Sequence, residues 1–114
     1  MEAAEIFIGT RTRYSDGEAI GGEEFCCAVR VNGKQVMNDK NLVYVSTALQ
    51  FQAKFYSFVA VMRMAGVSRF VVLNGKRLRQ SNKDVVECVP LPVYMIPELK
   101  KFLVFNGFVD GGEQ

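Results

Sequence analysis

The residues best suited to chemistry in this chain are four cations in one short stretch of the second half. They are Lys76, Arg77, Arg79 and Lys83. Neutral hydrogen-bond donors lie among them, and this mixture suits the oxygens of a phosphate backbone. The stretch therefore predicts a nucleic-acid-binding surface, to which Arg11 and Arg13 would add if the fold brings them near. The alternative is a solvated basic loop balanced by acids elsewhere, since the whole chain has a net charge of only +2.

The sequence argues against catalysis, because it contains no histidine. Histidine is the most common general base and metal ligand, and the usual partner of a nucleophile. The carboxylates are scattered, and the adjacent Glu23 and Glu24 would diverge on a strand. The glycine-rich residues 16–22 lack the spacing of a phosphate-binding loop. We expect a protein that is not an enzyme, with no catalytic residue, no metal and no cofactor.

The cysteines predict buried thiols and a reducing compartment. Cys26 and Cys27 are adjacent and would point to opposite faces of a strand, and Cys88 is alone. A disulfide framework is therefore not expected. No basic leader precedes the first apolar residues, and no apolar run approaches the ~20 residues that span a bilayer. These features predict a cytoplasmic protein without a membrane partner.

The composition is that of a globular protein, with 49% hydrophobic and 23% charged residues. A chain of 114 residues fits one core. We predict one globular α/β domain over residues 1–109. Residues 110–114 are polar and glycine-rich, which predicts a disordered tail.

The first half of the chain predicts an antiparallel meander. Strands are expected over residues 5–9, 25–31, 34–37 and 42–45. Asn32 and Gly33 are the pair that a type I′ hairpin turn favours. Residues 5–9 are apolar on both faces, which indicates a central strand. Residues 11–24 are either a long connection or the frayed start of a hairpin.

The second half predicts a long central helix, two further strands and a C-terminal helix. Thr47 has the spacing of a helix cap, a stripe of apolar residues follows, and Gly66 can end a helix, which together predict residues 48–65 as helical. Strand alternation competes near the start but breaks at Tyr56. Strands are expected over residues 69–73 and 85–89. The last helix should start near Pro97 and end near Gly107.

The C-terminal helix carries more apolar residues than one buried stripe needs. Leu99, Phe102 and Leu103 should face the core, which leaves Val104, Phe105 and Phe108 over. The candidate interface residues are Phe102, Val104, Phe105 and Phe108. Contiguous apolar surface usually has a partner, so these residues predict a protein interface or a homodimer. This would suit an accessory or inhibitory module of a viral or mobile-element kind. The alternative is burial of the whole set against the sheet.

The order of strand, strand, Asn-Gly hairpin, strand, long helix and strand resembles the first two-thirds of a ribonuclease H-like domain, over about residues 5–78. In that family the first strand ends in an acid, the first helix carries a glutamate near its start, and the next strand ends in an aspartate. The resemblance places Gly9, Gln52 and Asn74 at these positions.

The resemblance implies a member of the family without catalysis. The family's carboxylates hold two Mg²⁺ ions at the scissile phosphate, and glycine, glutamine and asparagine cannot supply that charge. A competing interpretation makes Asn74 and Gly75 a hairpin turn between residues 69–73 and 76–80, in a different α+β fold. We expect a mixed sheet of ribonuclease H-like architecture that binds nucleic acid or nucleoprotein, or else a protein partner.

Overall fold

The computed structural model describes residues 3–15, 18–37, 43–45, 47–75, 78–79, 85–86 and 89–112. The strands are β1 Ala4–Ser15, β2 Glu18–Val31, β3 Lys34–Gln35, β4 Val43–Val45, β5 Arg69–Asn74, β6 Leu78–Arg79, β7 Val85–Val86 and β8 Val109–Asp110. The helices are α1 Ala48–Met64 and α2 Ile96–Phe105, and a 3-10 turn, Val93–Met95, leads into α2. The main sheet is mixed and both helices pack on it, so the predicted α/β class is confirmed.

The main sheet has the strand order β3-β2-β1-β5-β8, and β4 also pairs with β2. β1, β2 and β3 form the predicted antiparallel meander, whereas β5 is parallel to β1, and β8 is parallel to β5. A parallel neighbour needs a crossover, which α1 provides. Leu78 and Arg79 pair with Val86 and Val85. Residues 78–79, the described part of residues 76–80, therefore pair with β7 and not with β5 as the competing interpretation expects.

β1 is central and covered on both faces, as its two apolar faces predict. Ile6 and Ile8 lie in the core beneath the helices. Phe7 lies in a second buried cluster on the opposite face, with Val71 and Leu73 of β5. β1 therefore contributes buried side chains to both faces of the sheet.

Residues 11–24, whose conformation the sequence left open, belong to a long hairpin. β1 and β2 pair from Glu5 opposite Arg30 to Ser15 opposite Glu18, with an irregular register between Thr12 and Tyr14. The sequence does not show this, because strands with polar residues on both faces lack the alternation that marks a strand.

The turn between β2 and β3 has the predicted form. Asn32 has φ 53° and Gly33 has φ 75°, and a type I′ turn requires positive φ at both positions. The two residues therefore set the register of β2 against β3, in which Val31 pairs with Lys34.

The limits of α1 agree with the predicted signals. The Thr47 hydroxyl accepts a hydrogen bond from the Gln50 N–H at 3.1 Å. Gly66 follows the helix with φ 73°, which an L side chain rarely adopts. The buried stripe is the predicted one, with Phe51, Phe55, Phe58, Val59 and Met62. α1 is therefore held at its ends by local contacts and along its length by the core.

The chain remains ordered beyond the predicted start of the tail at Asp110. β8 pairs Val109 with Arg69 and Asp110 with Phe70, and the Gly111 N–H donates to the Phe70 carbonyl at 2.6 Å. Asp110 also accepts an ion pair from Lys100 of α2 at 3.3 Å. Backbone pairing does not require apolar side chains, so residues 110–112 have defined contacts despite their polar composition.

The cysteines differ from each other. Cys27 is a free thiol, 1% exposed, and burial raises its pKa from 9.0 to about 12 although nearby Lys54 acts in the opposite direction. Cys26 is disulfide-bonded, so its predicted free thiol is wrong. Cys88 lies outside the described residues. In the described chain, neither helix has the length and apolar character to cross a membrane.

Candidate interaction surfaces

The carboxyl end of β5 lies beside the middle of β1. Ile8 pairs with Asn74, and the Gly75 N–H donates to the Ile8 carbonyl at 2.8 Å. Gly9 therefore lies next to Asn74, and these are two of the three positions that the ribonuclease H-like resemblance singles out. Gln52, the third position, is exposed on α1.

Both polar atoms of the Asn74 side chain bind the backbone of one residue. Its Oδ1 accepts from the Leu91 N–H at 2.7 Å, and its Nδ2 donates to the Leu91 carbonyl at 3.2 Å. This arrangement needs one donor and one acceptor on the same side chain. An ionised aspartate cannot donate, so the amide is the group that fits here.

A strap, residues 89–91, packs against β1 and the end of β5. Val89 exchanges two backbone hydrogen bonds with Thr10, at 2.9 and 2.8 Å. A Cβ on Gly75 would lie 2.6 Å from Cγ of Pro90, so only glycine fits there. Leu91 is 2% exposed and belongs to the main core. The strap therefore fills the space beside the end of β5.

The predicted basic surface is described only in part. Lys76, Arg77 and Lys83 lie outside the described residues, and only the backbone is described for Arg79 in β6 and Arg13 in β1. The segment that carries these cations leaves the sheet at Gly75 and returns at Val89. Both points are at the strap, where β1 continues towards Arg11 and Arg13. The two ends of the basic segment, Gly75 and Val89, are thus bonded to the part of β1 that precedes these two arginines.

The surroundings of Arg11 weaken its role as a phosphate contact. Its Nε donates to a carboxylate oxygen of Glu24 at 2.7 Å. Residues 11–24 carry two arginines against four carboxylates. Phosphate would meet a net negative hairpin here, so any attraction must come from residues 76–83.

The predicted apolar surface of the C-terminal helix is divided between core and exterior. Phe108 is 6% exposed and belongs to the core. Phe102 is half-buried, and its ring makes an edge contact with Tyr56 at 5.0 Å between centroids. Val104 is 53% exposed and Phe105 is 90% exposed. Val104 and Phe105 therefore face away from the sheet, on a helix whose Leu99 and Leu103 are fully buried.

Two aromatic residues next to this surface were not singled out by the sequence. Tyr94 is 76% exposed in the 3-10 turn before α2, and Tyr56 is 71% exposed on α1. The sequence could have indicated the exposure of Tyr94. A charged residue such as Glu98 marks the exposed side of a helix, and the residue four positions earlier, Tyr94, falls on the same side.

The described residues contain no group of three or more histidine, cysteine, aspartate or glutamate side chains placed to hold a metal ion. Comparison of the chain with models of protein families, with curated proteins and with solved structures found no match. Two surfaces of the described chain are therefore the candidates for function. One is the strap edge, where residues 89–91 pack against β1 and the end of β5, and the other is the outer side of α2.

Proposed function

We propose that this chain is a non-catalytic domain of ribonuclease H-like architecture that binds another protein through the outer side of α2. Three observations support the architecture. The antiparallel meander precedes a long helix, the strand after the helix is parallel to β1, and Gly9 of β1 lies next to Asn74, the last residue of β5.

Both composition and packing at the strap edge support the absence of catalysis. Two Mg²⁺ ions need several carboxylates, whereas the corresponding residues are Gly9, Gln52 and Asn74. The Asn74 amide is bound to Leu91, and Pro90 packs against Gly75. A phosphate or an ion beside Gly9 and Asn74 would have to displace the strap.

The exposure of Phe105 carries the proposed function. The opposite side of α2 buries Leu99 and Leu103 completely, so the core fixes the helix and the outward position of Phe105. An aromatic ring that is 90% exposed contributes little to folding. Aromatic residues are enriched in protein interfaces, and exposed apolar patches mark interaction sites. A role as an accessory or inhibitory module fits this surface.

Site-specific photo-crosslinking tests the proposed function. A photoreactive phenylalanine analogue at position 105, in the cells that make this protein, should give a discrete covalent adduct. The matched control carries the analogue at Lys34, which is exposed in β3 at the other edge of the sheet. Equal labelling at both positions, or no adduct at position 105, would contradict the proposal.

Nucleic-acid binding through residues 76–83 is a second candidate. The observation that favours it is that this basic segment starts at the carboxyl end of β5, a strand parallel to β1, and open α/β sheets bind ligands at the carboxyl ends of their parallel strands. Binding should weaken with salt, with a slope of roughly 0.9 in log affinity per phosphate, or about 3.6 when each of the four cations engages one phosphate. The double variant Arg77→Glu/Arg79→Glu should abolish it, whereas Lys101→Glu should not. An unchanged affinity in the double variant would eliminate this function.

A cytoplasmic location is also a proposal, and the disulfide at Cys26 gives it a direct test. Thiols should be trapped in intact cells by rapid alkylation, followed by mass spectrometry. A reduced Cys26 fits the cytoplasm, whereas an oxidised Cys26 indicates an oxidising compartment.

A further inference from the structure

Four exposed residues form one stripe along the outer side of α2 and the turn before it. They are Tyr94, Glu98, Lys101 and Phe105. With a rotation of about 100° per residue, the directions of Glu98, Lys101 and Phe105 fall within an arc of about 60°. Tyr94 precedes Glu98 by about one turn, in the 3-10 segment. We call these four residues the outer stripe. It lies opposite Leu99 and Leu103, which face the core.

The outer stripe has the same pattern in both directions. From either end it presents an aromatic ring, then a charge, then the opposite charge, then an aromatic ring, at spacings of four, three and four residues. A second copy in antiparallel orientation would place Tyr94 opposite Phe105 and Glu98 opposite Lys101. A two-fold axis repeats each of these contacts.

We propose that the partner of α2 is a second copy of this chain, packed antiparallel through the outer stripe. The inference rests on the proposed function, because it names the partner of the same surface. Charge complementarity favours this occupant. Within the described part of one copy, Glu98 and Lys101 have no ion-pair partner, and the second copy supplies one for each.

The size of the surface indicates a weak and reversible dimer. A buried aromatic side chain contributes about 150 to 250 Å², so the four rings of two stripes supply roughly 600 to 1,000 Å². Stable interfaces start at about 1,200 Å². The exposed Val93 and Val104 flank one side of the stripe and Tyr56 the other, which brings the surface close to that lower limit.

Sedimentation velocity over a range of about 1 to 200 µM tests this proposal. The chain should change from monomer to dimer as its concentration rises. Phe105→Glu should remain monomeric, because the dimer would bury an unpaired charge. The matched control is Leu49→Glu, which charges a residue of α1 that is 76% exposed and outside the outer stripe. That variant should dimerise like the unaltered chain.

Mixing two charge variants tests the antiparallel register. Glu98→Lys and Lys101→Glu should each dimerise at least tenfold more weakly, since each places like charges across the two-fold axis. In an equimolar mixture, one copy carries a lysine at both positions and the other carries a glutamate at both. Heterodimers should therefore form, because every contact across the axis then joins opposite charges. Positions 98 and 101 within each single copy still carry like charges, so contacts within one helix cannot explain recovery.

The outcomes separate this inference from the proposed function. A chain that stays monomeric at all concentrations, or a mixture that behaves like its two components, overturns the antiparallel dimer. An adduct of another mass from position 105 would then leave the proposed function standing with a different partner. An adduct of twice the chain mass, together with recovery in the mixture, supports both.

Discussion

The strap edge and the outer side of α2 differ in whether residues of the same chain cover their exposed or polar groups. At the strap edge, the Asn74 amide, the Thr10 backbone and the space beside Gly75 are all occupied by residues 89–91 of the same chain. On α2, the Phe105 ring has no comparable cover in the described chain. One surface is complete within a single copy, whereas the other would be completed by a partner.

This difference separates architecture from activity. A fold does not determine a function, because function depends on the groups placed at a site. At the strap edge, where the resemblance would place metal ions, the Asn74 amide and Gly75 instead contact residues 89–91 of the same chain. On α2, the exposed Phe105 ring contributes little to folding. Variants at the strap should therefore change stability, and variants on the outer side of α2 should change association.

The largest expected effect is that of Gly75→Ala. The left-handed backbone at φ 76° costs about 1–2 kcal/mol for an L residue. Its Cβ would also overlap Pro90, and overpacking adds about 1–3 kcal/mol. Denaturant unfolding should therefore show a loss of about 2 to 5 kcal/mol.

Gly66→Ala is the matched control for this experiment. Its φ is 73°, and a Cβ there meets no atom within 4 Å. It should lose only the backbone contribution of about 1–2 kcal/mol. Equal losses for both variants would show that the strap does not pack tightly against Gly75.

Asn74→Asp tests whether the amide serves the fold. The carboxylate keeps the acceptor for the Leu91 N–H but loses the donor to the Leu91 carbonyl. A loss of about 1–3 kcal/mol is expected, with partial recovery in acid, where a protonated aspartate can donate again. The variant places an acid where ribonuclease H-like domains carry one but should gain no nuclease activity with Mg²⁺. Unchanged stability or acquired turnover would break the comparison.

Cys27 reports on burial next to the strap edge, because it pairs with Ile8, whose carbonyl accepts from Gly75. The unfolded thiol ionises above its ordinary pKa of 9.0, whereas the folded thiol keeps its proton up to about 12. The folded state thus binds more protons, and stability falls as the pH rises. The loss should approach about 1.4 kcal/mol for each pH unit above about 9.

Cys27→Ala isolates this contribution, since lysines and tyrosines titrate in the same range. The difference in unfolding free energy between the two proteins should shrink as the pH rises from 8 to 11. A constant difference would mean that the thiol ionises as easily in the folded protein as in the unfolded one.

The smallest expected effect on stability is that of Phe105→Ser. At concentrations where the chain is monomeric, the free energy of unfolding should change by less than about 0.5 kcal/mol. Leu103→Ala, on the buried side of the same helix, should lose about 2–5 kcal/mol. A large loss for Phe105→Ser would show that the ring supports the fold, and the contrast between the two regions would disappear.

Prediction from sequence succeeded where the signal lies within a few residues. The turn at Asn32 and Gly33 and the cap at Thr47 depend on local backbone preferences and were predicted at the correct positions. It was incomplete for α2, because the apolar surplus is visible in the sequence but its orientation is not. Phe105, on the outer side of α2, is exposed, whereas Phe108 lies beyond the end of α2, after Gly107 at φ 94°, and belongs to the core.

The sequence by itself determined the α/β class, the antiparallel meander, the limits of α1 and the lack of acids at the positions of Gly9 and Asn74. Only the tertiary structure decided that residues 11–24 form a hairpin, that Cys26 is disulfide-bonded and that residues 89–91 close the sheet. The physical reason is separation along the chain. Asn74 and Leu91 are 17 residues apart, and their hydrogen bonds depend on a fold that no local pattern encodes.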